Sequence, residues 1–304
     1  MKIKFVYCFC MVLCVACNST QQLGDRSFVP HIENPTFDIG KGPVVKIDEA
    51  HHNFHTMNGR YFAFAEVLRH DGYQVEPNTS EFNLDSLRAC SILVISNALN
   101  ERNTEDWSLP TPSAFTDEEI EIVRKWVENG GALFLIADHM PFAGAAEKLA
   151  AAFGFEFSNG FAFDTLKKGP DIFRRSDESL RAHEITDGKE PQARVDSVTT
   201  FTGQAFKANR DHEPIIVFDS NYVVLLPEVA WEFDEKVDTL PIAGWMQAAT
   251  TKYGKGRVFV SGEAAMFSSQ VGSGGSSFGL TSPAAAQNLR FLRNIMSWLS
   301  GCFH

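Results

Sequence analysis

No cluster of Lys or Arg occurs in this chain, and its formal net charge is −11. Both features argue against nucleic acid as a partner. No Gly-x-Ser-x-Gly turn stands at a plausible strand end, so a nucleophile elbow is missing. The glycine-rich run Gly272 to Ser277 lacks the Lys-Ser/Thr ending of a phosphate loop and reads as a lid following Glu263. Cysteine is sparse after the leader: of six, only Cys17, Cys90 and Cys302 remain. Cys90 opens the apolar run Cys90-Ser91-Ile92-Leu93-Val94-Ile95 and reads as a core thiol, so no disulfide framework follows. No segment repeats.

The opening apolar stretch, Phe5 to Ala16, is shorter than the ~20 residues of a bilayer span. Lys2 and Lys4 precede it, as in an export signal. It ends in Cys14-Val15-Ala16-Cys17, which resembles a bacterial lipobox with small Ala16 before the lipid-bearing Cys17. The pattern departs in one place, because Leu13 stands one position early and Cys14 takes its slot. Residues 1–17 therefore read as a lipoprotein signal peptide, and the protein as exported and lipid-anchored to the bacterial cell envelope. An uncleaved anchor or ordinary signal peptide is the alternative. Residues 18–40 lack hydrophobic periodicity and read as a tether. Residues 41–304 read as a single α/β domain, with an irregular insertion, or an extension of the sheet, at about 155–240, where Val195 to Thr202, Ile215 to Asp219 and Tyr222 to Leu226 look like strands.

Strand and helix signals alternate from residue 43 to about 155, the pattern of βαβ units on a parallel sheet. Strands are expected at 43–47, 92–96, 132–136 and 257–261, and helices at 58–70, 116–129 and 284–299. Thr116 with Glu119 makes a capping box, and Ser282-Pro283 reads as the start of the last helix. Two apolar runs break into polar residues in the same way. Val44-Val45-Lys46-Ile47 delivers Asp48-Glu49-Ala50-His51-His52-Asn53-Phe54-His55, and Leu133-Phe134-Leu135-Ile136-Ala137 delivers Asp138-His139. A third run, Val258-Phe259-Val260-Ser261, delivers Gly262-Glu263. Ligands of open parallel sheets bind outside the carboxyl ends of the strands, so these clusters are expected to share one crevice.

The segments Ile47-Asp48-Glu49-Ala50-His51-His52-Asn53, Gly130-Gly131-Ala132 through Asp138-His139, Gly254-Lys255-Gly256-Arg257-Val258 and Gly262-Glu263-Ala264-Ala265-Met266-Phe267 together resemble the DUF4350 family. That family is a class I glutamine amidotransferase-like group, similar to ThuA-like and gliding or ciliary transport (GldG/IFT-type) domains. The resemblance spans most of residues 43 to 300 and is weakest between 155 and 240. It implies a flavodoxin-like, doubly wound, mostly parallel sheet, and no settled activity. True amidotransferases carry a nucleophilic Cys on a strained turn after a central strand. Here that turn holds Asp138-His139, so glutaminase-type thioester chemistry does not follow.

Three chemistries fit the clusters. Asp48, His51, Asp138 and His139 could hold a divalent metal such as zinc, although no standard zinc spacing is present. Without metal, Asp48, His51, His139 and Glu263 could serve as acid–base groups that activate a water. His52, Asn53, His55, Asp138 and Gln270 could instead line a pocket for a small polar or carbohydrate-type ligand. The bland alternative has the acids capping the following helices and the histidines bracing loops, in a non-catalytic interaction or scaffold module of an envelope assembly. Sequence leaves open whether the chain is an enzyme. Any joint site requires at least one of these carboxylates to bond an imidazole of the set.

Overall fold

The computed structural model describes residues 23–209, 211–272 and 275–302. The leader with Cys17 and residues 273–274 of the glycine-rich run lie outside the described residues. Among the described residues, no helix is long and apolar enough to cross a membrane.

The chain is an α/β protein with a mixed, largely parallel central sheet. Its nine strands, in chain order, are β1 (Val44–Asp48), β2 (Gln74–Asn78), β3 (Ile92–Ser96), β4 (Ala132–Ile136), β5 (Phe155–Phe157), β6 (Phe206–Ala208), β7 (Glu213–Val217), β8 (Met246–Tyr253) and β9 (Gly256–Ser261). They are ordered β2-β1-β3-β4-β9-β8-β6-β5, with β7 also paired to β8. The first five in this order are mutually parallel, and β8 turns antiparallel to β9. The four expected strands are thus adjacent in one sheet.

Alternation along these strands builds two cores. Ile92, Val94, Phe134, Ile136 and Phe259 point to one face, beneath helices α1 (Phe62–His70) and α6 (Asn288–Leu299); α2 (Leu84–Arg88) and α5 (Glu184–Asp187) are short. Leu93, Ile95, Leu133, Leu135, Val258 and Val260 point to the other, beneath α3 (Asp117–Glu128) and α4 (Phe142–Ala151). Every residue of β3 and β4 is buried, the signature of strands covered on both faces. α3 begins with the expected reciprocal cap between Thr116 and Glu119.

Not every expectation holds as read. Residues 23–40 are no free tether: Leu23–Gly24 pairs with the 269–271 strand, Thr36 bonds Asp71, and Phe28, Ile32 and Phe37 pack on the core. The flanks of Gly272 to Ser277, Ser269–Val271 and Ser277–Gly279, pair as a hairpin. α6 starts at Asn288 rather than near Ser282, its N-cap being Gln287. The 155–240 stretch mixes loops with strands, and the expected strands appear there as Ser197–Thr200, Glu213–Val217 and Tyr222–Leu226. It supplies β5, β6 and β7, a three-stranded sheet of Phe161–Asp164, Tyr222–Leu226 and Asp238–Pro241, and the pair Asp171–Arg174 with Ser197–Thr200.

Candidate functional site

Because β1, β3, β4 and β9 are parallel, Asp48, Ser96, Asp138 and Glu263 all arrive at one edge of the sheet. A main-chain and side-chain lattice stitches that edge together. Asn97 Oδ1 accepts from the Asp138 N–H at 2.9 Å, and the Asn97 carbonyl accepts from the Phe54 N–H at 2.9 Å. Asn53 donates to the Ser96 carbonyl at 3.3 Å and accepts from the His51 N–H at 3.0 Å. Asn97 holds φ at 48° to do this, a conformation Asn tolerates better than most residues.

The predicted residues divide into two groups. Neighbouring strands lie about 4.8 Å apart, so Asp48 on β1 and Glu263 after β9, three strands away, are separated by roughly 14 Å. No single small ligand sphere spans that gap.

The first group centres on His51. Its Nδ1 lies 2.8 Å from Asp48 Oδ2 and its Nε2 lies 2.8 Å from Glu119 Oε1. Phe82 and Phe115 pack on the ring at 4.6 and 4.8 Å. Burial works against the charged imidazole, but the hydrogen bonds and charges of Asp48 and Glu119 outweigh it and raise its pKa above 6.5. Burial likewise opposes ionised Glu119. The Thr116 and Phe82 N–H groups and His51 nevertheless hold its carboxyl below the ordinary value. His51 is therefore a buried imidazolium clamped between two carboxylates. Sequence missed Glu119 as a partner because its capping role accounts for it locally; its second oxygen is what reaches His51, 68 residues away.

The second group lies over β4 and β9. Glu263 is almost fully buried, and its two oxygens accept from the Ala265 and Met266 N–H groups at 3.0 and 2.8 Å. Burial first, and then the nearby Asp138 charge, raise its pKa well above 4.5. Tyr61, also missed from sequence, stands between the groups. Its hydroxyl donates to the Ala264 carbonyl at 3.0 Å, and its ring lies 4.6 Å from the His55 ring. Burial, with Arg60 and His139 nearby, lowers the pKa of His55 to about 3, so it is a neutral ring, and its Nδ1 has no hydrogen-bond partner among the described residues.

His139 sits under an aromatic cover. Its Nδ1 bonds the Met140 carbonyl at 2.6 Å, its ring stacks on Phe161 at 4.4 Å, and Trp231 closes over it at 4.7 Å. Two loops build the cover: the Leu109 N–H donates to the Glu228 carbonyl, and the Ala230 N–H to the Trp107 carbonyl. Trp231 adopts φ 69°, which a bulky residue adopts only under tertiary constraint.

The remaining predicted residues fare unevenly. His52 is exposed, at φ 46°, and makes no hydrogen bond among the described residues. Gln270 lies on the 269–271 hairpin, bonds Ser268 Oγ at 2.7 Å, and reaches none of the other predicted residues by hydrogen bond. The four-residue metal set is not brought together. Among the described residues, no three His, Cys, Asp or Glu side chains are placed to hold one ion. The physical reason is that both nitrogens of His51 are already bonded, and that Asp48 and Asp138 lie two strands apart. Cys90 stands at the opposite, amino-terminal end of β3, where burial pushes its thiol up to about 11. It is no amidotransferase nucleophile.

The class this architecture defines is visible in comparison with solved structures. The "mmIFT52 N-terminal domain" is 12% identical, with a TM-score of 0.59, over 84% of this chain and 97% of that one. A protein from Bacteroides uniformis ATCC 8492 described as ThuA-like is 12% identical, with a TM-score of 0.47, over 89% and 94% of the two chains. A Thermoplasma acidophilum protein described as a GMP synthase subunit is 10% identical, with a TM-score of 0.44, over 86% and 96%. The first of these likenesses establishes a shared fold and nothing finer. No family model matches the sequence, and no curated protein matches it.

Proposed function

We propose that this chain is an envelope lipoprotein whose amidotransferase-like, DUF4350-type domain binds a small polar or carbohydrate-type ligand, with the strand-end acids and histidines as braces rather than catalysts. The observation that carries the reading is the engagement of the His51 ring. A general base needs a ring nitrogen within reach of its substrate, and both of these are bonded to carboxylates in a closed core. Glu263 is committed in the same way, to the turn that follows it. What these groups accomplish is rigidity at the edge where open α/β sheets bind ligands.

The test is a screen of the purified soluble domain for saturable binding to neutral sugars, sugar acids and amino acids, run beside chromogenic glycosides and esters. Binding without turnover is expected. Turnover abolished by His139→Ala would overturn the non-catalytic part, and silence across the whole panel would overturn the binding part. A second reading, an interaction module, is favoured by the half-exposed Trp231 and Phe233 on the aromatic cover. Loss of a cross-linked envelope partner on Trp231→Ala would support that reading.

A further inference from the structure

We infer that the ligand of this domain is a neutral saccharide, held in the cleft between the 163–171 segment, Phe201-Thr202 and Phe278. This inference rests on the ligand-binding reading above and gives it a place and a chemistry.

The cleft measures about 550 Å³. That lies within the roughly 300–1,000 Å³ of small-molecule sites. It is not lined by any of the residues that sequence singled out. Its position is nonetheless the expected one. The Thr202 carbonyl accepts from Gln247 Nε2 at 2.8 Å on β8, and the next residue, Gly203, lies against the Gly262 carbonyl and Glu263. Gly203 permits this contact because a Cβ there would stand 2.3 Å from that carbonyl oxygen. The cleft therefore opens beside the carboxyl end of β9, and the braced edge forms one of its supports.

The lining sets the ligand class. Three rings contribute flat apolar faces. Phe201 and Phe278 meet edge to face at 5.8 Å, and Phe163 is fixed by Phe161 behind it and Phe233 beside it, at 6.3 and 5.6 Å. Of the two acids in the lining, Asp171 contributes the open hydrogen-bonding group. Asp171 Oδ1 accepts from the Tyr222 hydroxyl at 2.9 Å, and its other oxygen has no partner among the described residues. Asp164 is steadied by the Leu166 N–H at 2.8 Å. Burial pushes Asp171 up to about 6 despite the Tyr222 bond, with Asp164 adding to the rise, so its carboxyl both donates and accepts near that pH.

Lys167 and Lys168 stand on the same rim, with Lys167 Nζ 4.0 Å from Asp164 Oδ2, so above that pH the two acids and two lysines balance. An anionic ligand would meet both carboxylates, and an amine both lysines. A wholly apolar ligand would bury the open Asp171 oxygen unpaired. A pyranose ring has an apolar C–H face for the phenylalanines and hydroxyls that donate to and accept from Asp171.

The experiment is isothermal titration of the soluble chain with cellobiose, maltose and N,N′-diacetylchitobiose, with glucuronate and glucosamine as charged probes. At least one neutral disaccharide should bind. Phe278→Ala and the shape-conserving Asp171→Asn should each weaken it about tenfold or more, the loss of roughly one good contact. The exposed strand-end variant His52→Asn should not, and unchanged melting curves of the Asp171 variant would exclude unfolding as the cause. Disaccharide binding that survives both cleft variants but falls with His52→Asn would overturn the cleft assignment and leave the binding reading standing. Preference for glucuronate or glucosamine would overturn the neutral-saccharide class. If no probe of any kind binds, the underlying reading falls, and this inference with it.

Discussion

Replacing His51 with glutamine removes the cation between Asp48 and Glu119 and leaves two carboxylates facing a neutral amide in a closed core. Breaking a buried ion pair by deleting one partner costs about 3–5 kcal/mol. For a chain of 304 residues, unfolding entropy near 2.1 cal/mol/K per residue makes each kcal/mol worth about 1.6 °C, so the melting temperature should fall by roughly 5–8 °C. The pH dependence gives the sharper signature. The folded pKa of His51 is raised, so its contribution is complete below its unfolded value of about 6.5 and is lost as pH climbs through the folded one. The folded pKa of Glu119 is lowered, so its contribution is complete above its unfolded value and is lost as pH falls through the folded one. Both act fully between about 4.5 and 6.5. Circular-dichroism melts of the wild type and His51→Gln, from pH 4 to 9, should show the widest gap in that window and a narrowing gap toward alkaline pH. A further Glu119→Gln change on the His51→Gln background should cost less than it does alone, since the two groups share one interaction. A gap under about 1.5 °C, or one that does not vary with pH, would refute the imidazolium clamp.

Other outcomes follow from the same coordinates. Glu263 has a raised folded pKa, so its burial costs stability as pH rises above the ordinary carboxylate value. Asp138→Asn removes a charge that adds to this while keeping an acceptor for the His139 N–H. It should raise stability by about 1 kcal/mol at pH 8 and by nothing at pH 4, and equal curves at pH 8 would contradict the coupling. Gly72→Ala forces a side chain into φ 95°, with its Cβ 2.2 Å from the Phe37 carbonyl oxygen. It should cost roughly 1–3 kcal/mol and expose residues 34–42 to limited proteolysis, whereas an unchanged digest would mean that this segment is not docked. Cys17→Ser in the full-length chain should move the protein from the membrane to the soluble exported fraction. Persistent membrane binding would rule out the lipid anchor.

Much of this architecture is legible in the sequence. β3 and β4 are short unbroken apolar runs because both of their faces are covered, and such runs need no knowledge of their neighbours to be recognised. The Thr116–Glu119 cap is equally local. Parallel strands put their carboxyl ends at one edge, so the shared edge for Asp48, Asp138 and Glu263 follows once those strands are identified. β8 was not legible. Met246–Tyr253 has Ala and Thr where a strand usually has large apolar residues, and it is buried because β9 pairs on one side and β6 and β7 on the other. The docking of residues 23–40 was hidden for the same reason, since it rests on Asp71 and the 269–271 strand, both distant in sequence.

The sequence by itself determined which side chains reach the strand ends, because that depends on a period of two and on where each apolar run stops. Only the tertiary structure decided which of them meet. Strand order places two strands' width between Asp48 and Asp138, and α3 brings Glu119 onto His51 across 68 positions. The loops of Trp107 and Trp231 then close His139 from solvent. Partnership and exposure depend on distances between chain segments that no local pattern encodes.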